Sequence, residues 1–323
     1  MKIQFNITTS ACDLDRFASR EDFLAFARDF DGVELMYVEP DQRHIIPKEK
    51  VIGLHMSSFP YWLDFWNGNL ERVKQEFDTL DAAFSYYGGN TRQALVKRIR
   101  EDVADAVSHE AEYMVFHVAD SGAAETIAST YSHSDEEVID AVCDLLNEAL
   151  PEDGPLLLLE NLWEPGLTVT NPEMTRRLLR GIRYPKKGIM LDTGHLMHCC
   201  PELKNQKEAL RFIHQMLDEH GDLCQWVRGI HLNQSLTGNV IKRCQKNPPA
   251  MAETYTQRMS QLYSYVFQVD LHRPFAVPGV GELVKRIGPD YLTCEFISDS
   301  RQQHEKMLHR QLRALGKEGV FLL

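Results

Sequence analysis

Eight short apolar runs punctuate this chain, with amphipathic stretches between most of them. The runs are Lys2–Ile7, Gly32–Met36, Ile52–Met56, Tyr113–Val118, Leu156–Glu160, Gly188–Leu191, Gly229–Leu232 and Tyr291–Phe296. Each is strand-sized, and none approaches the ~18 apolar residues of a membrane span. Between them, Arg20–Phe30 sets Phe23, Phe26, Ala27 and Phe30 on one face at helical spacing. Thr91–Ala111 does the same with Ala94, Ile99, Val103, Ala106 and Val107. Ser134–Leu150 opens on Ser134 with Glu137 three residues later, a capping-box pattern. Asn171–Leu179, Glu208–His220 and Arg301–Leu315 complete the helical set. Strands that alternate with helices fold as parallel strands with helices outside. Eight such units predict an α/β chain closed into a single (β/α)8 TIM barrel spanning residues 1–323. An open doubly wound sheet is the rival. It normally carries a glycine-rich turn after its first strand, and here that turn, Thr8-Thr9-Ser10-Ala11-Cys12, has no glycine.

Two connections are long, residues 57–90 and 233–269, and the second holds its own helical stretch, Glu253–Phe267. Both follow strands, so on a barrel both lie on the face that carries active sites. A chain with 43% hydrophobic and 25% charged residues is not a disordered one. The opening Met1–Ile7 lacks the long apolar core of a signal peptide, and the seven cysteines are odd in number without zinc-ribbon spacing. A cytoplasmic protein with reduced thiols and no membrane partner is expected, and a homo-oligomer stays open. The net charge, 35 − 47 = −12, argues against a broad basic nucleic-acid groove. It does not exclude nucleic acid, because bound divalent ions change the local sum.

Charged and imidazole side chains fall where the apolar runs end. His55 closes the third run, His117 the fourth and Glu160 the fifth. Asp192 and His195 follow the sixth, His231 closes the seventh, and Glu295 the eighth. Asp270-Leu271-His272 precedes the last unit and leads into Pro278-Gly279-Val280-Gly281-Glu282. One such residue is weak evidence, since a lone strand histidine is usually a satisfied core residue. Six consecutive runs ending in metal-ligand types are not, because burying them costs free energy unless they are paired or bind an ion. In a barrel these ends converge on one mouth. Five imidazoles and four carboxylates suit zinc, manganese or iron(II) better than calcium. Nine donors exceed the needs of one ion, so one to three divalent ions, zinc or manganese, are expected.

This strand-end pattern resembles the xylose isomerase-like TIM barrel superfamily, which includes sugar isomerases and epimerases and the endonuclease IV apurinic-site nucleases. The most specific pieces are Asp192-Thr193-Gly194-His195, His231 with Asn233, and Asp270-Leu271-His272 followed by Gly279 and Gly281. By resemblance to the epimerases, Glu160, Asp192, His231 and Glu295 share one ion. By resemblance to the nucleases, His55 and His117 join Glu160 at a second ion, and His195, Asp270 and His272 hold a third. The ligand set does not choose between the branches.

The segment Phe59-Pro60-Tyr61-Trp62-Leu63-Asp64-Phe65-Trp66 follows His55, and Trp163 follows Glu160. Trp62, Trp66 and Trp163 are therefore expected to wall a pocket that stacks on a sugar ring, although the same aromatics suit wedging into a base stack. Asn233 and Arg273 are candidate substrate contacts, with Asn161 and Gln234 weaker ones. The resemblance implies a metal-dependent sugar or sugar-phosphate isomerase or epimerase. It would work through a metal-stabilised enediolate, with Glu160 and Glu295 as proton acceptor and donor across the mouth. The alternative is an endonuclease IV-type zinc phosphodiesterase. Another chemistry on the same scaffold, or metal binding without turnover, is the third possibility.

Overall fold

A computed structural model describes residues 1–316. Eight parallel strands close into a barrel in sequence order. They are β1 (Lys2–Thr8), β2 (Gly32–Met36), β3 (Val51–His55), β4 (Tyr113–His117), β5 (Leu156–Glu160), β6 (Lys187–Asp192), β7 (Val227–His231) and β8 (Tyr291–Cys294). The seam is β1 against β8, with Lys2 opposite Tyr291 and Phe5 opposite Cys294. All eight expected strands form, within a few residues at each end. The last stops at Cys294, which leaves Glu295 just past the strand.

Strand side chains alternate between barrel interior and helical layer. Tyr113, Val115, Leu158 and Met190 pack together inside the barrel, while Met114, Phe116, Leu157, Leu159, Ile189 and Leu191 belong to the larger core beneath the helices. Two residues beyond Val115, Leu158 and Met190 come His117, Glu160 and Asp192. The same alternation that buries the apolar floor thus aims the polar strand ends into the mouth. The floor is also polar in part. Tyr113 lies across it, donates to Glu34 Oε2 at 2.5 Å, and receives a hydrogen bond from Gln4. Gly53 makes room for this ring, because a Cβ there would stand 2.1 Å from Tyr113 Cζ.

Helices cover the outside. Ser134 caps Asp135–Ala149 through the expected capping box with Glu137. The stretch expected as one helix over Arg20–Phe30 is an α-helix only to Phe26, with a 3-10 turn over Ala27–Asp29. The insertion at 57–90 contains three helical segments, Leu63–Trp66, Leu70–Phe77 and Leu80–Tyr87, and that at 233–269 contains Gly238–Lys246 and Tyr255–Val269. The two insertions meet. Arg258 donates to Glu76 O at 2.5 Å and Asp78 Oδ1 at 2.6 Å, Tyr255 N donates to Asp78 Oδ2 at 2.6 Å, and the Tyr255 and Phe77 rings lie 4.4 Å apart. Among the described residues, no helix is long and apolar enough to cross a membrane.

Candidate metal centre

The nine strand-end residues come together as three groups, and within each group one donor atom per residue lies within 4.8 Å of the others. The first is His55, His117 and Glu160. Both imidazoles turn Nε2 toward Glu160 Oε2, at 3.3 and 3.2 Å. Met56 O accepts from His55 Nδ1 at 3.0 Å, a bond that leaves Nε2 as the electron-pair donor. The second is Glu160, Asp192, His231 and Glu295. His231 Nδ1 lies 3.1 Å from Glu160 Oε1, 3.4 Å from Glu295 Oε2 and 3.9 Å from Asp192 Oδ2. The third is His195, Asp270 and His272, with Asp270 Oδ2 at 3.4 Å from His195 Nε2 and 2.6 Å from His272 Nε2. Glu160 links the first two groups. Glu295, 3.5 Å from His272 Nδ1, links the second and third.

Local sequence explains how these side chains are aimed. Asp192 caps the helix Thr193–His198, its Oδ1 accepting from His195 N at 2.6 Å, which swings His195 over the mouth. His195 Nδ1 then donates to Asn161 O at 2.9 Å, leaving Nε2 for the third group. Asn233 donates to Asp192 Oδ2 at 2.7 Å and to Glu295 Oε2 at 3.3 Å. Gly194 permits this approach, since a Cβ there would stand 1.9 Å from Asn233 Oδ1. His272 has φ of +44°, an uncommon conformation for a residue with a side chain. Ser235 Oγ pins it by accepting from Leu271 N at 2.8 Å and His272 N at 3.3 Å.

Two supporting residues lie outside the strand-end pattern. Glu34, buried in the middle of β2, holds the far nitrogen of His231, with Oε1 2.9 Å from Nε2, and so turns Nδ1 toward the second group. A carboxylate that orients a ligand histidine also raises its basicity. His198 is the other, with Nε2 at 3.2 Å from Asp270 Oδ1. The signal for Glu34 is present in Gly32-Val33-Glu34-Leu35-Met36, because a carboxylate inside an apolar strand demands a partner.

Electrostatics bind the groups together. Burial alone would raise the Glu160 carboxyl, but His231 and His117 outweigh it and hold it well below its ordinary range. Burial likewise opposes charge on His231 and His195, yet the carboxylates around them push both well above the usual imidazole value. Glu295 goes the other way: burial lifts it to about 7, only partly offset by His231 and His272. The donor chemistry fits divalent ions. Mixed imidazole and carboxylate groups are what zinc or manganese takes, and the buried atoms His272 Nδ1 and Asn233 Oδ1 have no hydrogen-bond partner among the described residues.

The expected pocket aromatics divide. Trp163 stands edge-on to His195 and His198, with ring centroids at 5.2 and 4.7 Å. Trp62 is buried and donates to Ala119 O at 2.8 Å, with its ring on a cavity that His117 also lines. Trp66 is not brought to the ligands. The helical turn Leu63–Trp66 buries all four of its residues in the core, and Arg92 covers the Trp66 ring at 4.7 Å. Arg273 is also not gathered in. Its side chain is exposed, while its backbone pairs with Gln234. Asn161 is spent on the backbone of Asp192.

The profile described as a xylose isomerase-like TIM barrel matches residues 24–316. The chain belongs to this family. Solved structures similar to this family member include a putative xylose isomerase from Rhodospirillum rubrum, at 14% identity over 97% of this chain and 99% of that one, with a TM-score of 0.53. Endonuclease IV from Thermus thermophilus matches at 14% identity over 98% and 100%, with a TM-score of 0.52. The IolI protein with a bound zinc atom matches at 14% over 99% and 100%, with a TM-score of 0.50. Identities this low establish the shared fold. No curated protein matches the chain by sequence.

Proposed function

We infer that the protein is a metal-dependent isomerase or epimerase of a small sugar or sugar phosphate, passing through an enediolate. The observation that carries this reading is the burial of the ligand set. Side-chain exposure is 0% at Glu160, Asp192 and His231, 12% at Glu295 and 24% at His117. Interlocked insertions on the same face of the barrel favour a small, enclosed substrate over a polymer. Glu160 and Glu295 would hold an ion with Asp192 and His231, and His55 with His117 would extend the site at Glu160. A bound divalent ion supplies Lewis-acid stabilisation of the charge that develops on adjacent substrate oxygens. Glu160 has both oxygens engaged by imidazoles, Oε1 by His231 and His195 and Oε2 by His55 and His117, which suits a ligand better than a proton carrier. Glu295 has its contacts on Oε2, which leaves Oε1 to take a proton from one substrate carbon and deliver it to the neighbouring carbon in an isomerisation; in an epimerisation the proton would return from the opposite face, from water. Trp163 would supply an apolar face beside the polar floor.

The test is solvent exchange. A panel of ketoses and ketose phosphates, incubated in D2O with zinc- or manganese-loaded protein, should gain deuterium at the carbon next to the carbonyl. Glu295→Gln should abolish that gain even at a zinc or manganese concentration that restores full metal content, and should weaken retention of the Glu160, Asp192, His231 and Glu295 ion. A second reading, phosphodiester hydrolysis, is favoured by the His195, Asp270 and His272 group, which a single-ion epimerase does not need. Hydrolysis of bis(p-nitrophenyl) phosphate with no deuterium gain on any sugar would select it.

A further inference from the structure

Beside the first ligand group lies a cavity of about 90 Å³. Its wall is mainly apolar, with Trp62, Leu95, Ile99, Phe116, Leu145 and Leu162 on it, and the hydroxyls come from Ser57, Ser58, Ser121 and Thr126. His117 lines it too, and is the one side chain shared between this space and the ligand groups. The cavity sits between the mouth and the helices Gln93–Ser108 and Asp135–Ala149, which supply Leu95, Ile99 and Leu145. A space this large exceeds the roughly 10–15 Å³ that admits one water, but apolar walls give waters few partners. Glu164 also borders it. That carboxyl is 7% exposed, and its Oε2 has no hydrogen-bond partner among the described residues.

We propose that this cavity is a subsite for an apolar arm of the substrate, an alkyl or small aryl group on the carbon framework whose oxygens the ligand groups hold. The inference rests on the reading of the site as one that binds adjacent substrate oxygens, and it narrows the substrate class from plain sugars to hydroxycarbonyl compounds with an apolar substituent. An unsubstituted sugar has only hydroxylated carbons to offer, and a hydroxyl lodged against Leu95, Ile99 and Leu145 loses its water and gains no partner from those three side chains, whereas an alkyl group packs on them. An apolar cavity of about 150 Å³ takes benzene, so one of about 90 Å³ suits a branched group of a few carbons.

Hydroxamates present two adjacent oxygens in enediolate-like geometry and serve as probes. Zinc-loaded protein is titrated by calorimetry with acetohydroxamate and with 3-methylbutanohydroxamate, which adds three carbons to the same chelating head. Each buried methylene is worth about a four-fold change in affinity, so full enclosure would give up to about sixty-fold. We expect at least ten-fold tighter binding of the longer probe. Leu145→Phe and Ile99→Phe fill the cavity from the helix side, away from the ligands. Each should bring the ratio to within two-fold and leave acetohydroxamate affinity unchanged, with thermal unfolding confirming the fold and zinc analysis the metal. A ratio near one in the unaltered protein, or a ratio that persists in both filled variants, overturns the subsite while acetohydroxamate binding keeps the reading of the metal centre. If neither hydroxamate binds, the subsite falls together with that reading.

Discussion

The buried carboxylate of Glu34 offers the sharpest test of the site, because it touches none of the three groups except through His231. Its Oε2 accepts from Tyr113 Oη at 2.5 Å and Thr293 Oγ1 at 3.0 Å, and both oxygens reach His231 Nε2, Oε1 at 2.9 Å and Oε2 at 3.0 Å. Glu34→Gln preserves shape and removes charge. If the new amide points its oxygen at His231, its NH2 meets two hydroxyls that were donors, and both must rotate. If it points its NH2 at His231, Nε2 must become the acceptor. The ring proton then sits on Nδ1, the nitrogen that faces Glu160 and Glu295, and Nδ1 can no longer bind an ion. Either way His231 becomes a poorer ligand. Loss of such an orienting carboxylate weakens metal affinity by about 10–100-fold, or roughly 1.4–2.8 kcal/mol. An imperfectly satisfied buried group also costs roughly 1–3 kcal/mol of stability. Competition titration of chelator-stripped protein with zinc should therefore show one equivalent weakened by that factor and the others unchanged. A variant that folds and binds every equivalent within two-fold of the original would refute the argument that Glu34 acts through His231.

Three further outcomes follow from the geometry. His55→Ala should remove one zinc equivalent, read by calorimetry, and leave the Glu160, Asp192, His231 and Glu295 ion in place; an unchanged stoichiometry would make His55 a substrate contact. Trp163, edge-on to His195 and His198, should report zinc loading as a fluorescence change that Trp163→Phe abolishes, and an identical response in that variant would place the reporter elsewhere. His304 is buried against Phe5 and Phe26, and burial depresses it to about 4. The folded state then resists a proton that the unfolded chain accepts below about pH 6.5, so stability present above that value is lost as pH falls toward 4. The loss is on the order of 3 kcal/mol at 1.36 kcal/mol per unit. His304→Phe should flatten that part of the denaturant-midpoint profile against pH, and a slope equal to the original would assign the acid loss to other groups.

Much of the barrel was legible because each strand had to satisfy two demands at once. Leu156-Leu157-Leu158-Leu159-Glu160 is apolar on both faces until its last residue, which a helix-covered parallel sheet buries, and eight such strands in succession close that sheet into a barrel whose ends open on one mouth. The insertions were less legible. Residues 57–90 contain aromatic runs that read equally well as a pocket wall or as the packing of a small helical layer. Which one holds depends on where each helical turn points, and a shift of one residue separates Phe65, stacked at 4.0 Å on Tyr87, from Trp66 beneath Arg92. Helical phase over a four-residue turn cannot be read from periodicity, because a single turn has no repeat. Arg273 escaped for a related reason. The neighbouring His272 is turned inward by a left-handed backbone, and that conformation sends the next side chain out to solvent.

The strand-end pattern also set a limit on which site residues could be found. It selects residues by position along the strand, and so it gathers ligands while passing over groups that act one layer below. Glu34 lies in that lower layer with Tyr113, Thr293 and Gln4, and it reaches the mouth through His231, whose ring spans the two layers. The polar floor is thus continuous with the metal centre. Its charge is held by one imidazole between Glu34 on one nitrogen and Glu160 with Glu295 on the other. A cation bound at Nδ1 and a carboxylate at Nε2 stabilise each other through that ring. Barrel closure, which brings β2 and β7 side chains into contact across the interior, is therefore itself part of what makes the site a strong ligand set.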